Sequence, residues 1–398
     1  MSNQPSLPVP RERIASIDAF RGLVMLLMMA EVLRLAQVAR AFPDSGLWQM
    51  LGYHQSHVQW FGCSLHDLIQ PGFSFLVGVA LPFSIASRLS RGQSTPKMLG
   101  HTVWRALLLV LLGVFLRSID RGQTHWTFED TLTQIGLGYP FLFLLGLRSF
   151  RIHLIALSAI LVGYWLAWAL YPLPGAGYDY AAVGAKADWP HHAQGFAAHW
   201  NKHLNPGAAF DRWFLNLFPR PEPFVRHVGG YLTLNFIPTL ATMILGLIAG
   251  KWMKAELLPK ERLKRLLIAA AACFVLAGLL HQLGICPIIK RIWTPSWVLF
   301  SGGWCFLFMA VLYAVIDWQG VKKWAFPLTV VGMNSIAAYL IAHLIKDFTM
   351  GSFRTHLGAE FFAFAGEPLQ PFFEGLAVLT VYWLVLFWMY RRKLFLRI

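Results

Sequence analysis

Leu68-Ile-Gln70-Pro71-Gly-Phe73-Ser-Phe75-Leu-Val-Gly78-Val-Ala-Leu-Pro82-Phe-Ser-Ile-Ala-Ser-Arg88 carries no charged side chain between Asp67 and Arg88. The hydrocarbon core of a bilayer is roughly 30 Å thick, and about 20 apolar residues in a helix cross it. Residues 68–88 meet that length. Gly78 and Pro82 inside the stretch do not argue against a helix, because membrane helices tolerate both.

Working outward, the same pattern recurs at 17–40, 100–117, 131–148, 152–171, 231–250, 265–284, 296–316, 327–346 and 371–390, about ten spans in all. Pro140 and Pro238 fall inside two of them. Hydrophobic residues make up 57% of the chain and charged residues 13%, with a mean hydropathy of +0.52. A soluble domain carries about 25% charged residues. The expected fold is an all-α, polytopic membrane helix bundle. It forms one domain over 1–398, with a large extracytoplasmic loop at 172–230 between the fifth and sixth spans.

Basic residues set the orientation. Arg11 and Arg13; Arg88, Arg91 and Lys97; Arg148 and Arg151; Lys251 to Arg265; Lys322 and Lys323; and Arg391 to Lys393 fall on alternate connections. By the positive-inside rule that face is cytoplasmic, which puts both termini inside. The net charge of +15 then reports topology and contact with membrane lipids, and the Lys251–Arg265 linker reads as a headgroup-binding helix. Nucleic acid is not an expected partner, since no basic-aromatic module is present. Met1–Pro10 is polar and lacks a signal-peptide pattern, so the first span serves as an uncleaved insertion signal. The four cysteines show no CxxC spacing, and no metal site is expected. There is no GxGxxG, Walker or HExxH motif.

The polar chemistry gathers on the outer face. His57-Val-Gln-Trp60-Phe-Gly62-Cys-Ser64-Leu-His66-Asp67-Leu-Ile-Gln70-Pro71 packs ionisable groups between two apolar segments. Such groups at a membrane boundary lose hydration and are rarely kept without a use. A neutral histidine there is suited to take a proton near neutral pH. Glu31, deeper in the first span, is expected to face the bundle interior with Arg34 as its partner. Asp18 and Arg21, three apart, share a helix face, either as an anchoring pair or as a cytoplasmic mouth with Arg21 available to a phosphate. Trp126 in the second outer connection and Asp211 in the third belong to segments rich in Trp, His, Asp and Arg. That composition suits sugar recognition as well as an interfacial aromatic belt. Two function classes remain open on this pattern: a proton-coupled transporter using Glu31, His57 and Asp67, or a membrane enzyme with an extracytoplasmic substrate. No match between the halves supports the internal repeat of a transporter.

The opening Arg13-x-x-Ser16-Ile-Asp18-x-Phe20-Arg21-Gly22 resembles the heparan-α-glucosaminide N-acetyltransferase-like transmembrane acyltransferases. So do His57-x-x-Trp60-x-Gly62-x-Ser64-x-x-Asp67-Leu-x-x-Pro71-x-Phe73, Gly332-Met333-Asn334-Ser335-Ile336 with Tyr339, and the closing Arg391-Arg392-Lys393. The resemblance implies acetyl-CoA as the acyl donor from the cytoplasm and a sugar or glycan amine or hydroxyl as the acceptor across the membrane. It implies His57 as the catalytic histidine, acting as base or transient acetyl carrier, with Asp67 as its orienting acid. Arg21, Asn334 and Ser335 then serve the cofactor. Trp60, Glu31, Trp126 and Asp211 serve the acceptor, and Asp18, Gly62 and Pro71 the local frame. Ser64, Asn334 or backbone amides are candidate oxyanion donors. Where the family often has an asparagine in the outer part of the first span, this chain has Glu31-Val32. A bacterial form in the inner membrane and a homodimer are further implications of the resemblance.

Overall fold

The computed structural model describes residues 14–175, 177–185 and 188–396. Arg11, Arg13 and the Met1–Pro10 stretch lie outside the described residues. The order of helices is α1 (Ala15–Met29), α2 (Leu35–Ala41), α3 (Gly46–His54), α4 (Ile69–Leu89), α5 (Thr95–Arg117), α6 (Thr131–Gly146), α7 (Phe150–Ala169), α8 (Pro206–Phe214), α9 (Phe236–Lys254), α10 (Pro259–Gln282), α11 (Pro295–Leu312), α12 (Phe326–Gly332), α13 (Ser335–Leu344), α14 (Lys346–Leu357) and α15 (Gln370–Arg391).

Among the described residues, 7 helices are long and apolar enough to cross a bilayer, or up to 9 if each of two bent pairs is one span. The fold is a polytopic helical bundle. Each of the ten apolar stretches falls on one of these units or on α6. At 16 residues, α6 rises only about 24 Å at ~1.5 Å per residue and is shorter than a full span.

The two bent pairs correct the reading of 17–40 and 327–346 as continuous helices. The first bends by 43° between α1 with its terminal turn and α2. Arg34, at φ 50, sits in the left-handed region at the break, where an L side chain is crowded. The backbone groups freed there are recovered by one side chain. Gln55 Oε1 accepts from Leu35 N at 2.6 Å, and Gln55 Nε2 donates to Ala30 O at 2.6 Å. Such repair is what lets a helix break at membrane depth. The second pair bends by 69° between α12 and α13. Asn334 sits at the bend and pins the C-terminal tail, donating to Leu394 O at 2.8 Å and accepting from Leu396 N at 3.0 Å.

α4 and α9 form the central pair. A Cβ placed at Gly78 would lie 2.0 Å from Met243 O, and one at Gly246 1.9 Å from Phe75 O. The two backbones therefore touch, the small-residue packing that membrane helices use in place of a hydrophobic driving force. The apolar window of α9 is 83% buried, whereas that of α7 is 17% buried. α7, α10 and α15 thus stand outermost, and their exposed Val162, Leu279 and Leu384 suit contact with lipid tails.

Alternate connections meet at opposite ends of the bundle. At one end Phe61 bridges Ile289, and Trp60 Nε1 donates to Trp200 O at 3.2 Å. At the other, Asp317 accepts from Ala15 N and Ser16 N at 3.0 and 3.1 Å, and Lys251 Nζ donates to Arg148 O at 2.6 Å. The second end collects the basic connections. Lys251–Arg265 is not a helix of its own: α9 continues through Lys254, and Pro259 opens α10 after a short turn.

Candidate active site

The segment after α3 builds the site through one carboxylate. Ser64 and Asp67 close a reciprocal turn: Ser64 N donates to Asp67 Oδ2 at 3.0 Å, and Asp67 N to Ser64 Oγ at 3.3 Å. This is the logic of a capping box, each side chain satisfying the other's backbone amide ahead of a helix. Val58 N also donates to Oδ2, at 3.3 Å. Gly62, at φ +104, provides the backbone reversal between Trp60 and Ser64 that a side-chain-bearing residue resists. Pro71 lies buried in the first turn of α4, where its missing amide costs nothing.

Asp67 Oδ1 is left to face His57 Nδ1 at 2.9 Å. Asp67 is fully buried, while the His57 side chain is 38% exposed. The carboxylate is therefore fixed and the ring reaches open space. Burial holds the His57 imidazole below its ordinary value. The bond to Asp67 opposes that shift, and Lys290 and Arg291 add to it. The surroundings thus favour the neutral form of the ring. His66 packs beside it, with ring centroids 4.5 Å apart.

Lys290 completes the group. Its Nζ lies 3.0 Å from His57 Nδ1 and 3.3 Å from Asp67 Oδ1, and the residue is 3% exposed. Arg291 clamps the same connection to Val58 O at 3.2 Å and Gly229 O at 2.9 Å.

His57, His66, Lys290, Glu31, Glu129, His227, Tyr231, Arg117 and Tyr339 all line one cavity of about 270 Å³. Behind the lining residues Arg117 and Tyr339, the buried Asp130 accepts from Arg117 Nε at 3.0 Å and from the Tyr339 hydroxyl at 3.1 Å, and caps α6 through Leu132 N at 2.9 Å. Glu129 is bonded by the Thr127 hydroxyl and lies 3.9 Å from His227 Nε2. Burial raises its carboxyl above the ordinary value.

A second cavity of about 470 Å³ lies toward the basic end, lined by Arg21, Arg88, Arg91, Arg105, Tyr139, Ser335 and Leu396 among others. Phe73 lines both cavities. The other walls change over within one turn: Arg21 to Met25 on α1, Leu132 to Thr131 on α6, Ile336 to Tyr339 on α13. A third pocket of about 570 Å³ shares Arg21 and Ala80 with the second and adds Lys254, Glu256 and Arg262 at the basic surface. The three form a series from that surface to His57.

The expected site residues divide accordingly. His57, Glu31, Arg21 and Ser335 line cavities, and Asp67 stands directly behind His57. Asp18 pairs with Arg21 at 3.3 Å. Five residues are placed differently from expectation. Arg34 pairs with Glu374, at 2.8 Å, instead of Glu31. Trp60 is 1% exposed in a cluster with Trp168, Trp200 and Ile289, so it anchors the large loop and has no face for a sugar. Asp211 is 2% exposed and accepts from Thr233 N at 3.0 Å, again inside the loop. Asn334 holds the tail with both ends of its amide, and Ser64 is buried against Asp67 and Ser56 O, so neither is an oxyanion donor. Trp126 stacks on Phe218 at 5.2 Å and lines a separate outer groove of about 780 Å³.

Lys290, Glu129, His227 and Arg105 were not singled out from sequence. Lys290-Arg291 had a signal, being a basic pair in a short outer connection between two apolar spans. Arg105 had another, a charge within an apolar span.

No protein-family model matches the chain. It is similar to heparan-alpha-glucosaminide N-acetyltransferase of Mus musculus, 25% identical over 432 residues, covering 97% of this chain and 60% of the relative. The same enzyme of Homo sapiens is 25% identical over 376 residues, covering 84% of this chain and 53% of the relative. The chain is a distant relative of these acetyltransferases. It spans little more than half the length of either one. Among the described residues no group of His, Cys, Asp and Glu is arranged to hold a metal ion.

Proposed function

We propose that this protein is a membrane acyltransferase that moves an acetyl group from acetyl-CoA, bound at the basic end, to a sugar or glycan amine or hydroxyl at the other end. The observation that carries this reading is the pair of cavities meeting at Phe73, one arginine-lined and one holding the His57–Asp67–Lys290 group. CoA has a phosphorylated nucleotide and a long, narrow pantetheine arm. Guanidinium groups suit its phosphates, and Arg21, Arg88, Arg91 and Arg105 stand where the nucleotide end would rest. A narrow neck suits the arm. His57 Nε2 would then take the proton from the acceptor as it attacks the thioester carbonyl, and the thiolate of CoA leaves. Alternatively His57 itself takes the acetyl group and passes it on. Asp67 fixes the ring in either route. The basic end is the cytoplasmic one by the positive-inside rule.

The test is transfer of isotope-labelled acetyl from acetyl-CoA to a panel of amino sugars and glycans, read by mass spectrometry, with purified wild type and His57→Ala. Labelled product from wild type alone supports the reading. Equal product from both variants removes His57. Donor-independent uptake of solute into proteoliposomes would favour a proton-coupled transporter using Glu31, His57 and Asp67.

A further inference from the structure

We propose that Lys290 is a positioning residue: its ammonium, in contact with both His57 and Asp67, keeps the imidazole neutral. This rests on the reading of His57 as the base.

The geometry sets up a competition. His57 Nδ1 has a carboxylate oxygen at 2.9 Å and an ammonium nitrogen at 3.0 Å, and those two groups are 3.3 Å from each other. With its one proton on Nδ1 the ring donates to Asp67 and keeps Nε2 unprotonated, with the same ammonium 3.5 Å from Nε2. Lys290 then bonds the same carboxylate. Asp67 is fully buried, and a buried charge without a partner is costly. With Lys290 present, that partner is already there, and His57 need not become cationic to supply it. With Lys290 removed, the imidazolium is the nearest remaining cation for Asp67, and a proton is drawn onto His57. A base that starts protonated is not a base.

The other groups around the ring do not substitute. His66 is packed against His57 and carries no fixed charge. Arg291 is held by the carbonyls of Val58 and Gly229. Tyr231 packs its ring against Lys290 and Arg291, with the two cations 5.7 and 5.1 Å from its ring centroid. His227, Glu31, Arg117 and Glu129 line the same cavity, with Glu129 near His227 and Arg117 bound to Asp130. Lys290 is the cation in direct contact with both members of the pair.

The experiment is pH-dependent modification of His57 by diethyl pyrocarbonate, which reacts with neutral imidazole, quantified on the His57 peptide by mass spectrometry. Wild type, K290M, K290Q and K290R are compared, with thermal melts confirming the fold. K290M and K290Q are expected to move the midpoint upward by about one pH unit or more, as loss of a like charge at this range does. K290R is expected to keep it. An unchanged midpoint in the neutral variants overturns the proposal. So does failure of both neutral variants to fold while K290R folds, which makes Lys290 a structural ion-pair residue only. The modification needs no acetyl donor. A shift without any acetyl transfer would therefore separate this proposal from the enzymatic reading, and transfer without a shift would sink this proposal alone.

Discussion

Asp67 turns one oxygen toward Nδ1 of His57, at 2.9 Å, and the other toward the backbone amide of Ser64, at 3.0 Å. The same carboxylate therefore orients the imidazole and closes the turn that presents it. His57 has no such second duty. Loss of His57 and loss of Asp67 should then differ in stability while agreeing in activity. His57→Ala is expected to lower acetyl transfer by about 10²- to 10⁴-fold and to leave the melting temperature nearly unchanged. Asp67→Asn is expected to lower transfer comparably and also to destabilise by about 3–5 kcal/mol, because Lys290 is left buried without its counter-charge. Melting curves beside initial rates check this. A fully stable Asp67→Asn would contradict the shared role.

The arginines of the second cavity are expected to act on the donor alone. Arg105 Nη1 lies 3.4 Å from the Tyr139 hydroxyl on the cavity wall. Arg105→Gln or Arg88→Gln should raise KM for acetyl-CoA about tenfold, the equivalent of ~1.4 kcal/mol, with kcat and the acceptor KM little changed. Initial rates with each substrate varied in turn decide it. An effect on the acceptor KM instead would place the donor elsewhere.

His227 Nδ1 accepts from the backbone amides of Gly229 and Tyr231, at 3.1 and 3.3 Å. It works as an acceptor only while neutral, and burial pushes its value down to about 4. Burial likewise lowers His203, to about 3. An unfolded histidine titrates near 6.5. Below that pH the unfolded chain binds protons that the folded one refuses, so stability present above about 6.5 is lost as pH falls toward 4. The melting temperature should drop over that window. His227→Asn, which keeps an acceptor and cannot titrate, should flatten the drop.

Asp211 has the opposite sign. Burial raises its carboxyl to about 7, above the unfolded value near 3.9. The folded state holds the proton more tightly, so its contribution is present at low pH and is lost as pH rises through about 7. Asp211→Asn keeps an oxygen for Thr233 N and removes the ionisation. It should melt no lower than wild type at pH 8 and retain transfer activity. A selective rise in acceptor KM would instead restore Asp211 to substrate binding.

Gly246 is expected to tolerate no side chain. A Cβ there would meet Phe75 O at 1.9 Å, and backbone cannot swing aside as a side chain does. Gly246→Val should abolish a folded, detergent-stable protein. Gly163, with nothing within 4 Å, serves as the control, and Gly163→Ala should be neutral. Size-exclusion profiles of the two variants compare them directly.

Much of the bundle was legible because length and hydropathy act through one strong constraint, the bilayer. Breaks in helices were not, because they depend on remote partners. Nothing near Arg34 in sequence announces Gln55 or Glu374, which repair and anchor that bend. His57 and Asp67 could be read together because one motif of the family resemblance holds both, and the structure adds the local turn through Ser64 that joins them. Lys290 reaches them from 233 residues away, so only its place in a short connection between two apolar spans gave a hint. Trp60 and Asp211 misled for one reason: a long loop must build a small core of its own, and aromatic or acidic residues used inside it look like binding residues from composition alone. The cavity arginines Arg88 and Arg91 were counted only as topology markers, although the fold also brings them beside Arg21.

The central claim is transfer across the bundle through His57. The direct measurement uses proteoliposomes with labelled acetyl-CoA on the side of the basic connections only and a membrane-impermeant amino sugar on the other side only. Acetylated sugar should accumulate with wild type and be lost with His57→Ala. No product from wild type, or equal product from both proteins, would contradict the account.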